Sequence, residues 1–167
     1  MTSRLLVDKI EGKTTSGSVQ MPSGVPIQYK RESTQANLGT ITSTSYVKLG
    51  GGALDLTITP KFSTSKLVLH GAFPVYVSTN AYPSTIFAFY RDGTIIDQHN
   101  ITYGAGYVQI NTGQLAGFHT YVSAEVDANN TNSTTFTIYV KSNTTSGNNS
   151  YFTDLANRWI SVEEIAQ

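Results

Sequence analysis

The stretch TPKFSTSKLVLHGAFPVYV, Thr59 to Val77, opens on turn formers and then runs as a long series of strand-favouring side chains. Successive side chains of a strand point to opposite faces. From Leu67, one face collects Leu67, Leu69, Phe73, Val75 and Val77, and the other Val68, His70, Ala72, Pro74 and Tyr76. A strand with one face in water alternates apolar with polar residues. Here the second face is itself partly apolar, so the segment predicts a strand with a buried inner side and an outer side that does more than meet solvent.

The same phase recurs outward along the chain. In Gln114–Val126, Ala116, Phe118, Val122, Ala124 and Val126 oppose Leu115, His119, Tyr121 and Ser123. In Thr134–Ser142, Phe136, Ile138 and Val140 oppose Thr135, Thr137 and Tyr139, and in Arg158–Ile165, Ile160 and Val162 oppose Trp159 and Ile165. Further strands are expected at Ile27–Glu32, Ser45–Lys48, Leu54–Thr59, Thr85–Arg91, Thr94–Gln98 and Tyr107–Asn111, spaced by turn signals as in a β-sandwich or barrel. Asp92-Gly93, between the apolar runs of FYRDGTII, suits a two-residue type I′ hairpin. The fold class is therefore all-β, an antiparallel β-sandwich over residues 26–167 with an arm over residues 1–25. The polar loops DANNTNSTT and SNTTSGNNS are expected together at one end of it.

Composition agrees and removes several function classes. About a quarter of the 167 residues are Ser or Thr, which favours strands and turns over helices. Formal net charge is +0 with 13% charged residues, so no electrostatic footprint supports binding to nucleic acid. No run approaches the length of about 20 apolar residues that a membrane helix needs, so no membrane insertion is expected. Cys is absent, which excludes disulfides and thiolate chemistry. The Asn-x-Ser/Thr sequons at Asn100, Asn129, Asn132, Asn143 and Asn148 follow from Asn/Thr-rich loops, and no signal-peptide core precedes them in MTSRLLVDKIEG.

Catalytic patterns are missing. Glu163 and Glu164 are strand neighbours that point to opposite faces, and Asp92 belongs to a turn, so no paired-carboxylate constellation forms. A non-enzyme is expected. His70, His99 and His119 show no paired-ligand spacing, and neither metal nor cofactor is expected. What remains is association. The outer-face aromatics and imidazoles, His70, Tyr76, Tyr90, His119, Tyr121, Tyr139 and Trp159, combine apolar bodies with polar rims, as a subunit interface does. Cross-strand pairing on a solvated face is the alternative, and repetition on several strands favours the interface, arranged as a homotrimer. Asn80 and Tyr82 in VSTNAYPST, with Tyr103 and Tyr107 in NITYGAGYVQ, have the side chains to stack on sugar rings and bond hydroxyls. Packing of Tyr103 and Tyr107 at the sandwich edge is the other reading. In the arm, Leu5, Leu6, Val7, Ile10, Val19 and Met21 are apolar, which a free tail would not need and a docked one would.

Four segments carry a resemblance. LLVDKIEGKTTSGSVQMPSG resembles the N-terminal arm of many tailed-bacteriophage virion proteins, ITPKFSTSKLVLHGAF resembles the I-T-P-x-S-x-x-S-K segment that follows there, FYRDGTII is similar to their R-D-G-T hairpin, and WISVEEIAQ to their closing E-I strand. Their common order spans nearly the whole chain. The resemblance implies a tail-fibre, tail-tip or head-decoration component located in the virion, trimeric, with a jelly-roll-like body. With it, the arm, residues 1–25, is expected to anchor the chain to other virion proteins and the sandwich to be displayed outward, where Asn80, Tyr82, Tyr103 and Tyr107 are the candidates for a host-surface glycan. A capsid-decoration (cement) protein and a free lectin-like carbohydrate-binding module are the alternatives.

Overall fold

The structure is a computed structural model and describes residues 23–78, 85–100, 115–142, 149–152 and 156–167. Its strands are β1 (Pro26–Thr34), β2 (Thr40–Ile41), β3 (Val47–Lys48), β4 (Leu56–Ile58), β5 (Lys66–Ser78), β6 (Thr85–Arg91), β7 (Thr94–Asn100), β8 (Leu115–Asp127), β9 (Thr134–Ser142), β10 (Asn149–Tyr151) and β11 (Arg158–Ile165). The segment around Thr59–Val77 supplies β5, the axis of the first sheet. β11 lies between β1 and β5, β8 pairs with β5 on its other side, and the short β10 and β2 continue beyond β11. The second sheet runs β3-β9-β6-β7, with β4 also on β9. All pairs are antiparallel.

If β3 and β4 are taken as one interrupted strand and the two shortest insertions are set aside, the sheets read first–last–third–sixth and second–seventh–fourth–fifth. This is the double Greek-key wiring of a jelly roll. The expected sandwich is present. β2 and β10 were not anticipated, and the strand expected at Tyr107–Asn111 lies outside the described residues, as do all six apolar arm residues, Leu5, Leu6, Val7, Ile10, Val19 and Met21.

The aliphatic faces meet as expected. Leu67, Leu69, Phe73 and Val75 of β5 and Ile160 and Val162 of β11 are buried against Phe136, Ile138 and Val140 of β9. At the centre, the Phe73 ring stacks on Phe87 of the opposite sheet with centroids 5.2 Å apart, and Phe87 meets Phe152 edge-on at 6.0 Å. Gly71 makes room for this: a Cβ there would lie 2.5 Å from Cε2 of Phe73.

Register divides the body into two ends. At one end, Pro26, Ile165, Lys66 and Asp127 lie in one row across the first sheet, with the β6–β7 hairpin and the start of β9 beside them. The chain enters here, because Gly24 N–H donates to Ala166 O and Ala166 N–H to Val25 O. At the other end, Ser78 pairs with Leu115, Thr85 with Ser142, and Ile86 with Asn100. Of the two polar loops expected together, DANNTNSTT starts from Asp127 at the entry end, while residues 143–148 of SNTTSGNNS lie outside the described residues and Ser142 before them is at the far end.

The hairpin matches its expectation in detail. Asp92 has φ 49° and Gly93 φ 83°, the positive pair that a type I′ turn needs. Asp92 also fastens the next connection: its carboxylate accepts from the Thr134 hydroxyl at 2.6 Å and from Thr135 N–H at 2.8 Å. Arg91 donates to Asp127 O and Ala128 O, both at 2.7 Å. Asp92→Ala loses both accepted bonds and puts a Cβ residue without a turn-forming side chain at positive φ. A loss of about 2 kcal/mol is expected from denaturant unfolding. Asp92→Asn, which tolerates that backbone and keeps one acceptor, should lose less than half as much.

Candidate interaction surfaces

The seven residues read as one aromatic face lie on two. His70, Tyr76, His119, Tyr121 and Trp159 belong to the outer side of the first sheet, and Tyr90 and Tyr139 to the outer side of the second. Strand periodicity assigns a side chain to inner or outer, and both sheets of a sandwich have an outer side. The single-face reading is corrected accordingly.

On the second sheet the aromatics are satisfied among themselves. Tyr90 and Tyr139 stack with centroids 4.0 Å apart, Tyr46 meets Tyr90 edge-on at 6.0 Å, and Lys141 Nζ sits 4.4 Å over the Tyr46 ring. Burial and then the neighbouring Tyr90 push the Tyr46 hydroxyl above its ordinary pKa. Nearby, Lys48 Nζ contacts Asp55 Oδ2 at 2.6 Å, and the Thr137 hydroxyl donates to Asp55 Oδ1. Ring faces already used on one another have little left for a partner.

The first sheet presents its aromatics differently. Tyr121 is 74% exposed, Tyr29 59% and Tyr76 39%. Tyr76 lies over Gly117, where a Cβ would come within 3.0 Å of its ring. Trp159 and Tyr121 flank Ala72 on adjacent strands, which puts them two strand spacings, about 10 Å, apart. The floor between them is small, with Ala72, Pro74 and Ser161 all buried. Arg31 stacks its guanidinium 4.6 Å from the Trp159 ring. Tyr29 and Arg31 were missed in the sequence because the run from Pro26 to Thr34 shows no clean alternation.

His70 and His119 share this outer face without meeting. His70 pairs with Ser123, four residues along β8 from His119, a separation of about 13 Å. The side chain of His99 lies outside the described residues, as do Asn80, Tyr82, Tyr103 and Tyr107.

No protein-family model matches the chain, and no curated protein matches it. Solved structures do match, at low similarity. They include dimeric latent PorU from Porphyromonas gingivalis (8% identity, TM-score 0.46, 94% of this chain and 14% of that one). The infectious bursal disease virus VP2 subviral particle is another, at 12% identity, TM-score 0.44, 99% of this chain and 37% of that one. The EclA C-terminal domain, a sugar-binding protein, matches at 9% identity and TM-score 0.33 over 93% of this chain and 89% of that one. These neighbours are β-rich, and viral capsid proteins and a sugar-binding domain are among them. The chain spans a minor part of the first two.

Two of the four segments singled out in the sequence meet in space. Glu164, in WISVEEIAQ, turns inward and is fully buried. Its carboxylate accepts from Lys61 N–H at 2.8 Å, from Phe62 N–H at 3.1 Å and from the Gln28 amide. Lys61 and Phe62 belong to TPKFSTSK. Burial pushes this carboxyl up, and the Lys61 and Phe62 N–H groups and Gln28 pull it further down, leaving it below its ordinary 4.5. Glu163, its neighbour, faces outward and is half-buried, so the two acids are separated as the alternation requires.

Proposed function

We propose that the chain is a non-enzymatic structural component of a tailed-phage virion. It is a short tail-fibre, tail-tip or surface-knob protein whose N-terminal arm binds other virion proteins, while the sandwich trimerises and contributes to host-surface contact. The polarity of the sandwich carries this reading. Residues 1–22 join the body at the end marked by Gly24 and Ala166. The strands flanking residues 79–84, 101–114 and 143–148 all stop at the opposite end. Asn80, Tyr82, Tyr103 and Tyr107 fall in the first two of those connections. Attachment through the arm therefore leaves the sugar-stacking candidates on connections that start from the far end. The fourfold segment resemblance supports the same reading, because Glu164 and Asp92, each in a quoted segment, hold the body's turns together.

Two experiments test it. Removal of residues 1–22, which keeps the Gly24–Ala166 and Val25–Ala166 bonds, should leave the melting midpoint of the body unchanged and abolish incorporation into particles. Incorporation at the full-length level would overturn the anchoring role. For trimerisation, the exposed outer side of the first sheet is the face to change, since the rings of the second are self-paired. Trp159→Lys sets a second cation beside Arg31 and should reduce a threefold mass in light scattering to a smaller species. An unchanged mass would remove this face from the interface.

A further inference from the structure

The two long edges of the first sheet are built unlike each other. β1 carries Pro26, Lys30 and Arg31 and a register irregularity between Pro26 and Gln28. It is also tied across to the other sheet, with Gln28 Nε2 donating to Thr59 O and Lys30 Nζ to Thr57 O. Proline, charge, bulges and covering contacts are the devices that stop an edge from recruiting another strand. β8 has fewer of them, all at one end: the acids Glu125 and Asp127, and the Arg91 bond to Asp127 O. It pairs with β5 over all thirteen residues without a register shift, and Leu115–Asp127 contains no Lys, Arg or Pro. Among the described residues, no strand pairs with its other side. A straight, regular edge of that length is a template for a further strand.

The side chains along β8 favour its own copy. His119, Tyr121, Ser123, Glu125 and Asp127 form one exposed outward row, with donors towards one end and acids at the other. Lys66 Nζ already sits 2.9 Å from Asp127 and 3.2 Å from Glu125, which limits the repulsion between the two acids. When two such rows run antiparallel with Ser123 on the axis, His119 faces Asp127 of the second copy and Tyr121 faces Glu125 of the second copy, each twice. Both acids then meet a donor, and the 74% exposed Tyr121 is covered. A strand pairing with itself gives an isologous, closed contact.

We propose that β8 is a homodimerisation edge, joining two copies into one continuous sheet in the register centred on Ser123. The contact goes beyond the trimer reading and uses a different symmetry; where both form, the assembly contains an even number of chains.

Ser123→Cys tests the register directly, because the chain has no other cysteine. Directly opposed residues of an antiparallel pair lie about 4.5–5.5 Å apart at Cα, within disulfide range. With a mild oxidant, Ser123→Cys should form a species of twice the 18.1 kDa chain mass. It should do so about tenfold faster than Ser33→Cys, the same change on β1. Equal rates, or no cross-linked species, overturn the proposal. Ser123→Lys brings two cations to the axis and should weaken association about tenfold or more in light scattering across a dilution series. Trp159→Lys lies two strands from the edge and should leave the twofold pair intact, so failure of the trimer and failure of the edge contact give different masses.

Discussion

Phe87→Ala should cost about 3–5 kcal/mol and lower the melting midpoint by roughly 10 °C or more. Phe87 is fully buried on β6 and touches the other half of the core through two rings at once, stacked on Phe73 and edge-on to Phe152. Truncation removes the transfer energy of the ring and leaves a cavity at the junction of the sheets, where main chain on both sides is held by ladder bonds and is slow to collapse. Phe87→Leu refills most of that space and should recover more than half of the loss. A cost for the Ala variant below about 1.5 kcal/mol, read from chemical denaturation, would mean that the inter-sheet aromatic contact is not the centre of the core.

The second large effect is at Glu164. Glu164→Gln keeps the shape but puts an amide donor among the Lys61 N–H, the Phe62 N–H and the Gln28 amide, which are donors already. Hydrogen bonds to a charged acceptor are worth about 1.5–3 kcal/mol, and buried donors left unpaired cost about 1–3 kcal/mol each, so a loss of about 3 kcal/mol is expected. The pH dependence identifies the cause. The folded carboxyl titrates below its ordinary 4.5. Its contribution is therefore fully present above that value and is lost as pH falls through it towards the lowered folded pKa. The difference in unfolding free energy between wild type and Glu164→Gln should be constant from pH 7 to about pH 5 and shrink below pH 4. A difference that stays constant down to pH 3 would assign the loss to packing alone.

Much of the body was legible because it rests on local signals. The alternation from Leu67 onward, the apolar phase of Thr134–Ser142 and the Asp92-Gly93 pair each state a conformation that the structure adopts, since strand period and positive-φ turns are properties of a few adjacent residues. β2 and β10 were not legible: two or three residues become a strand only because a neighbour's edge is there to accept them. The aromatic residues were assigned correctly to the outside and wrongly to one surface. Periodicity distinguishes in from out, but Tyr139 and Tyr121 are told apart only by which strands β9 and β8 pair with. Likewise, Glu164 looked like an ordinary charged strand residue, because its donors stand about a hundred positions away in the chain. Arg158, also fully buried, donates to Pro74 O across the same kind of distance.

The place of β11 in the first sheet bears on how the protein comes into being. It follows every other described strand in the chain, yet it is an interior strand, flanked by β1 on one side and β5 on the other. A nascent chain that has emerged as far as β10 can close the β6–β7 hairpin and the β5–β8 and β6–β9 ladders. It cannot close the first sheet, and it leaves open the sides of β1 and β5 that β11 covers in the finished molecule. Closure of the first sheet therefore waits for β11 and proceeds through contacts of high sequence separation that form slowly. Until β11 is inserted, the chain is at its most vulnerable to self-association of the wrong kind and to the proteases that remove unfinished proteins.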